Sequence, residues 1–250
     1  SSIRSISDFA VDIRADCCAA IVTVSNGGNL FYGPGAVRVT ANGLVQYTEA
    51  TVQAANIYSA PAGIGLSITA NAGSAITQLN NAIVVADSGI LSYASDANSV
   101  SFYRGEVYAD TICIRTTGAG SQSISNSGQI SVTNGTGVQT NTQAGQTATI
   151  INSGAISGAI EGIELIGAGT TVAFVTNTES GYVAGQHAIL NTDAIPLSVT
   201  NAGTLSGEVD GIFTTGVINL NNSRIIGTAG LAGSAAGVYM NTAAGTNNII

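Results

Sequence analysis

Three ionisable side chains recur at one point of an internal repeat, and their spacing could support catalysis. Glu161, His187 and Asp210 each stand two residues before an apolar position of the repeat, at intervals of 26 and 23 residues. If successive repeats stack at the spacing of β-strands, about 4.8 Å, Glu161 and Asp210 lie about 9–10 Å apart with His187 between them. That separation is close to the one that an inverting glycosidase leaves for its water molecule. The same three groups could also bind a cation.

The same residues also fit solvated side chains at one polar corner of a repeat. The aligned positions in the flanking repeats are Thr136 and Ala236, which carry no charge. No arginine or lysine joins the column to bind an acidic sugar or to stabilise a developing anion. We therefore favour corner residues over a catalytic group, and the sequence predicts no enzyme activity, no cofactor and no metal site.

Cys17, Cys18 and Cys113 are the remaining reactive side chains. The adjacent pair in the string DCCAA lacks the Cys-x-x-Cys spacing of a zinc knuckle or a thioredoxin-type site. In an oxidising compartment, one member of the pair could form a disulfide with Cys113 and close a loop of roughly 95 residues. Alternatively, all three are small buried hydrophobic residues. The sequence leaves both interpretations open.

Glu161, His187 and Asp210 are positioned by an internal repeat of about 25 residues. The segments ISNSGQIS, IINSGAISG, VTNTESGYVAG, VTNAGTLSG and LNNSRIIG align with one another. Each contributes one asparagine to a column: Asn126, Asn152, Asn177, Asn201 and Asn222. A second column is apolar and has the same period: Val138, Ile163, Ile189, Ile212 and Val238. Two columns with one period indicate a repeat architecture.

Each repeat contains three short apolar segments, separated by corners rich in Gly, Asn and Thr. Segments of this kind are typical of strands and turns, and none has the 3.6-residue periodicity of a helix. Three strands per repeat predict an all-β fold, a parallel β-helix or β-solenoid in which equivalent residues of successive coils stack. The asparagine column then predicts a structural ladder of side-chain amides, hydrogen-bonded from coil to coil.

The regularity of the repeat divides the chain into three parts. Residues 1–35 are expected to form a cap or an irregular β segment, because an open solenoid end is an aggregation-prone edge. Residues 36–120 are predicted to form irregular coils, since the corner residues Asn42, Asn71 and Asp87 are unevenly spaced. Residues 121–250 are predicted to form regular coils.

The composition restricts the possible functions. The 250 residues include only 8% charged residues, six arginines and no lysine, and the net charge is −8. About a quarter of the residues of an ordinary domain are charged, so Ser, Thr, Asn, Gln and Gly must cover this surface. Scattered arginines on an acidic chain argue against nucleic-acid binding. No run of about eighteen apolar residues predicts a transmembrane helix.

The strings INSGAISG and VTNAGTLSG, each followed by a Gly-Ile step, resemble the repeats of bacterial autotransporter passenger regions. The resemblance covers residues 121–250, and the N-terminal part only loosely. It implies a right-handed parallel β-helix that type V secretion carries to the cell surface ahead of an outer-membrane barrel. Passengers of this family are adhesins, self-associating proteins and sometimes enzymes.

Repeat and composition predict a protein whose function is structural or adhesive, and the resemblance implies that it is extracellular or surface-displayed and associated with the outer membrane. The expected partners are identical subunits, stacked head to tail or side by side into filaments or a surface layer, or surface glycans. The alternative is a polysaccharide-degrading β-helix enzyme, either a glycoside hydrolase or a lyase. The lack of lysine, the few acids and the lack of a basic cleft argue against that alternative.

Overall fold

The computed structural model describes residues 2–4, 9–24, 30–49, 56–224, 226–228, 236–241 and 248–249. This part of the chain contains no helix, and its strands form one parallel sheet that winds into a β-solenoid of about nine turns, with about 24 residues per turn. The fold class predicted from the repeat is confirmed. In the same residues, no helix is long and apolar enough to cross a membrane.

The solenoid contains 24 strands. The first twelve are β1 (Ser2–Arg4), β2 (Phe9–Ala15), β3 (Ala20–Val24), β4 (Leu30–Gly33), β5 (Gly35–Ala41), β6 (Val45–Glu49), β7 (Asn56–Ser59), β8 (Ile64–Ala70), β9 (Ala75–Ala94), β10 (Asn98–Gly118), β11 (Gln122–Asn126) and β12 (Gln129–Val132). The others are β13 (Thr136–Thr142), β14 (Thr147–Asn152), β15 (Ala155–Ser157), β16 (Glu161–Ile166), β17 (Val172–Asn177), β18 (Tyr182–Asn191), β19 (Leu197–Asn201), β20 (Thr204–Thr214), β21 (Ile218–Asn222), β22 (Ile226–Thr228), β23 (Ala236–Met240) and β24 (Asn248–Ile249).

Parallel pairing of each strand with its equivalent in the next coil produces three faces. Face A consists of β2, β5, β8, β13, β16, β23 and the last parts of β9, β10, β18 and β20. Face B consists of β3, β6, β11, β14, β17, β19, β21, β24 and the first parts of β9 and β10. Face C consists of β1, β4, β7, β12, β15, β22, the middle of β9 and β10, and the first parts of β18 and β20.

The core lies inside the coil, because side chains alternate between inside and outside along each strand. The predicted apolar column is one row of this core on face A, where Val138 pairs with Ile163, and Ile189 pairs with Ile212. Face C contributes an inner row of Ile130, Ile156, Val183 and Leu205. All of these side chains except that of Val238 are buried, so stacked Val, Ile and Leu form the hydrophobic interior.

In the N-terminal part, the described residues of 1–35 form β1–β4, and β2 and β3 pair in register with β5 and β6 of the next coil. The coils that contain β9 and β10 turn the corner between faces B and C differently from the later coils. Asn81 and Arg104 have positive φ angles of 58° and 53° there. The asparagine position of this corner is occupied by Leu79 and Phe102. The N-terminal corner residues expected from the sequence lie elsewhere: Asn42 and Asn71 follow β5 and β8 at the corner between faces A and B, and Asp87 lies at the corner between faces C and A. Their spacing is uneven because they do not belong to one column.

Candidate functional site

The sheet register brings the three ionisable residues of the repeat into one column at the corner between faces C and A. Glu161 pairs with His187, and His187 pairs with Asp210, in successive coils. Nδ1 of His187 lies 3.2 Å from Oδ2 of Asp210. The column is deep, because Glu161 is only 7% exposed and Asp210 only 4%. The two carboxylates therefore flank the imidazole but present little surface to solvent.

Glu161 is held in an environment that favours its protonated form. The pKa of its carboxyl group is raised to about 8, mainly by burial and also by the negative charge of Glu164, against a backbone hydrogen bond from His187 that lowers it. Among the described residues, Oε2 of Glu161 is buried without a hydrogen-bonding partner. Glu161 is consequently a neutral acid near pH 7, since desolvation penalises the carboxylate.

Four further residues surround the column, and the sequence patterns did not single them out. On the outside of face A, Gln139 donates a side-chain hydrogen bond to Glu164. The rings of His187 and Phe213 are 5.5 Å apart and tilted by 56°, and Phe213 stacks on Tyr239 at 5.1 Å. All four occupy the position three residues after the ionisable column in their coils. Extending the alignment by those three residues would have found them.

The geometry limits what this group can do chemically. A general acid or base must come within hydrogen-bonding distance of its substrate. Glu161 and Asp210 are more than nine-tenths buried, and the side chain of His187 is only 18% exposed. Among the residues that the structure describes, no three His, Cys, Asp or Glu side chains are arranged to hold a metal ion. The column is best described as a buried cluster of ionisable side chains at the edge of the core.

The five asparagines form a continuous chain of side-chain hydrogen bonds at the corner between faces B and C. Nδ2 of each of the first four asparagines donates to Oδ1 of the asparagine in the next coil, at distances of 2.8, 2.9, 2.8 and 2.8 Å from Asn126 to Asn222. The same amides also donate to backbone carbonyls of the corner, as Asn177 does to Gly181 and Thr204. Polar groups sealed from water are thereby satisfied.

The ladder begins at Asn126, because the equivalent residue of the preceding coil is Phe102, whose side chain cannot form a hydrogen bond with Asn126. Asn126, Asn152, Asn177 and Asn201 are all buried, at 1% exposure or less. These side chains are therefore structural groups, and their surface is not available to a ligand.

The structure does not bring the three cysteines together. Cys17 and Cys18 are exposed at a turn of the first described coil, with their Sγ atoms 2.7 Å apart, whereas Cys113 is buried; all three are free. Cys113 lies four coils away from the turn, about 19 Å along the solenoid axis at about 4.8 Å per coil, and a disulfide requires Cα atoms within about 7 Å. Burial raises the pKa of the Cys113 thiol to about 12.

Face B carries the most regular outer surface of the described solenoid. Its strands present two outer columns that run through nine coils. The first is Ile21, Gln46, Ile76, Ser99, Ser123, Thr149, Phe174, Ser198 and Asn219, and the second is Thr23, Thr48, Gln78, Ser101, Ser125, Ile151, Thr176, Thr200 and Asn221. Serine and threonine make up more than half of these residues, and none is charged. The result is an uncharged outer surface rich in hydroxyl groups.

Comparison of the chain with protein-family models, with curated proteins and with solved structures gives no match.

Proposed function

We propose that the protein is an extracellular structural or adhesive β-solenoid, displayed on a cell surface or assembled with identical copies into filaments or a surface layer. The neutral, hydroxyl-rich outer surface of face B is the observation that carries this proposal. Polar groups that repeat at the strand spacing can make many weak contacts with one surface. Because these contacts form simultaneously, the overall affinity is much higher than that of a single contact.

The buried position of the ionisable groups supports a structural role for them. The three ionisable groups lie at the edge of the core: Glu161, which is neutral, and the close pair of His187 and Asp210. A substrate would have to displace packed side chains to reach them. The resemblance of INSGAISG and VTNAGTLSG to autotransporter passenger repeats supports surface display by type V secretion. Both points favour a scaffold over a polysaccharide-degrading enzyme.

One observation favours the enzymatic alternative. Glu161 remains protonated near pH 7, as the general acid of a glycosidase does, and Asp210 is the second carboxylate of the column. A glycoside hydrolase or lyase would need these groups to open to solvent during the reaction.

Electron microscopy and a retention assay test the proposed function together. We expect the purified protein to assemble into filaments or sheets as its concentration rises, or to be retained on insoluble polysaccharides or on cells. Discrete monomers at high concentration, with no retention on any of these surfaces, would contradict the proposal.

A further inference from the structure

Face B contains a shallow depression that spans three neighbouring coils. It has a volume of about 440 Å³. Its outer lining comes from β17, β19 and β21 and from the residues just before β19 and β21: Val172, Phe174, Pro196, Ser198, Val217 and Asn219. None of its described lining residues is charged. The depression is thus a largely apolar hollow within a face on which serine and threonine are the most frequent outer residues.

Phe174 is the prominent side chain of the depression. It is 43% exposed, although it belongs to a column in which its neighbours are Thr149 on one side and Ser198 on the other. Because both neighbours are much smaller than a phenyl ring, the side chain of Phe174 stands out from the column. An exposed aromatic ring beside hydroxyl groups is typical of a contact residue, since a ring loses little conformational entropy when it binds.

We infer that this depression binds the sugar rings of a neutral glycan. The C–H face of a pyranose is apolar and stacks on an aromatic ring, while its hydroxyl groups exchange hydrogen bonds with polar side chains. Phe174 supplies the ring, and Ser198 supplies a hydroxyl group in the same column. Thr200, beside the depression, supplies a hydroxyl group in the adjacent column. Small-molecule sites are commonly apolar hollows of about 300–1,000 Å³ with a few polar groups, which matches this lining.

Charge selects neutral sugars over acidic ones. The depression offers no cation to pair with a uronate, a sialate or a sulfate, since its described lining is uncharged. The net charge of −8 on the chain also repels polyanions. Glycans built from neutral hexoses or N-acetylhexosamines need no cation in the lining and are not repelled by the negative charge of the chain.

The rest of face B extends this site along the solenoid. Ser99, Ser123 and Thr149 continue the Phe174 column with one hydroxyl group per coil, at about 4.8 Å per coil. That interval is close to the advance of one sugar unit in an extended glycan. An extended chain can therefore run from the depression along this column. This inference rests on the adhesive part of the proposed function and gives its ligand a chemical class.

The chain contains no tryptophan, so a single reporter can be placed in the depression. We expect Phe174→Trp to show a change of fluorescence on titration with cellohexaose, chitohexaose or a mannan hexasaccharide, and none with hexagalacturonate. Calorimetric titration of the unaltered protein should give binding by at least one of the neutral oligosaccharides. Phe174→Ala should weaken it about tenfold or more, as removal of an anchoring aromatic residue does. Ser198→Arg, which fills the depression, should abolish it.

Matched variants on face C separate this site from a general effect on the solenoid. Tyr182 is 42% exposed, and Ser157 lies on the outside of β15, so Tyr182→Ala and Ser157→Arg should retain full affinity. Binding that is lost in the face C variants but kept in Phe174→Ala would overturn the assigned site and leave the adhesive function standing. Binding of hexagalacturonate alone would overturn the ligand class.

A second copy of the chain is the other occupant that the test can detect. If the protein assembled in a way that depends on Phe174 and bound no oligosaccharide, the depression would be assigned to a second copy. That result would overturn the inference, while the structural function would stand.

Discussion

The side-chain amide of Asn177 donates a hydrogen bond to Oδ1 of Asn201 at 2.8 Å, across one coil of the solenoid. The same amide donates to the carbonyl groups of Gly181 and Thr204. One side chain thus satisfies a corner in its own coil and ties it to the next. Repetition of this arrangement makes the corner between faces B and C a rigid seam, which leaves the outer faces to carry contacts with partners.

The ladder predicts a large loss of stability when a central rung is removed. Asn177→Ala deletes four hydrogen bonds, three that its amide group donates and one that its Oδ1 accepts from Asn152. It leaves Oδ1 of Asn201 without its buried donor, which should cost about 3 kcal/mol. Asn177→Asp should cost more, because a carboxylate has no donor for Oδ1 of Asn201 and is buried as a charge. Urea denaturation of each variant measures these free energies.

Asn141→Ala is the matched control for the ladder, because Asn141 is an exposed asparagine on the outside of face A. It should change the free energy of unfolding by about 0.5 kcal/mol or less. Equal costs for Asn141→Ala and Asn177→Ala would contradict a stabilising role for the ladder.

A glycine in the same corner is required by close contacts. A Cβ atom at Gly181 would lie 2.1 Å from Oδ1 of Asn177 and 2.6 Å from the carbonyl oxygen of Asn152. Gly181→Ala should therefore push the ladder apart and lower the unfolding midpoint strongly. Gly145 has a φ angle of +80°, but a Cβ atom added there would meet no other atom within 4 Å, so Gly145→Ala should cost only about 1–2 kcal/mol of backbone strain. The reverse order of the two midpoints would refute the steric argument.

The buried acid predicts an unusual dependence of stability on pH. The folded-state pKa of Glu161, about 8, lies above the ordinary value of 4.5, so the folded protein binds this proton more tightly than the unfolded chain. Its contribution to stability is complete below about pH 4.5, declines as the pH rises, and levels off above about pH 8. Glu161→Gln keeps a neutral side chain at every pH. Between pH 5 and pH 8, the unaltered protein should lose about 3 kcal/mol relative to this variant, measured by urea denaturation. If the free energy of unfolding had the same pH dependence in both proteins between pH 5 and pH 8, the pKa of Glu161 would not be raised in the folded state, which would contradict the prediction.

We expect two of the three cysteine thiols to react in the native protein and the third to be protected. Cys17 and Cys18 are exposed, whereas Cys113 is buried, with its thiol in hydrogen-bonding contact with the carbonyl groups of Val107 and Ser131. Iodoacetamide should label two thiols of the reduced native protein, and the third only after denaturation, because a thiol whose pKa is raised by burial reacts slowly. Intact-mass measurement counts the labels. A disulfide between Cys113 and either member of the pair would contradict the placement of β10 in the fifth coil.

The register of the regular coils could be predicted from sequence because its signal is repeated. The position of Ile163 relative to Ile189 is fixed by two columns of the same period, and Glu161 is aligned with His187 as a consequence. The depth of Glu161 could not be predicted, since an alignment shows which residues stack but not how far each one is covered. The N-terminal coils gave a weaker signal because Phe102 replaces the corner asparagine and Arg104 makes the turn with a positive φ.

The central claim is that the outer surface of face B carries the function and that the buried carboxylates do not. Retention of the protein on insoluble neutral polysaccharides, measured together with the release of reducing ends, tests this claim most directly. The unaltered protein and the double variant Glu161→Gln, Asp210→Asn should be compared after circular dichroism has established that both are folded. We predict equal retention of the two proteins and, for both, a release of reducing ends no greater than that of a sample without protein. Release above that level by the unaltered protein, lost in the double variant, would contradict the account and assign the column a catalytic role.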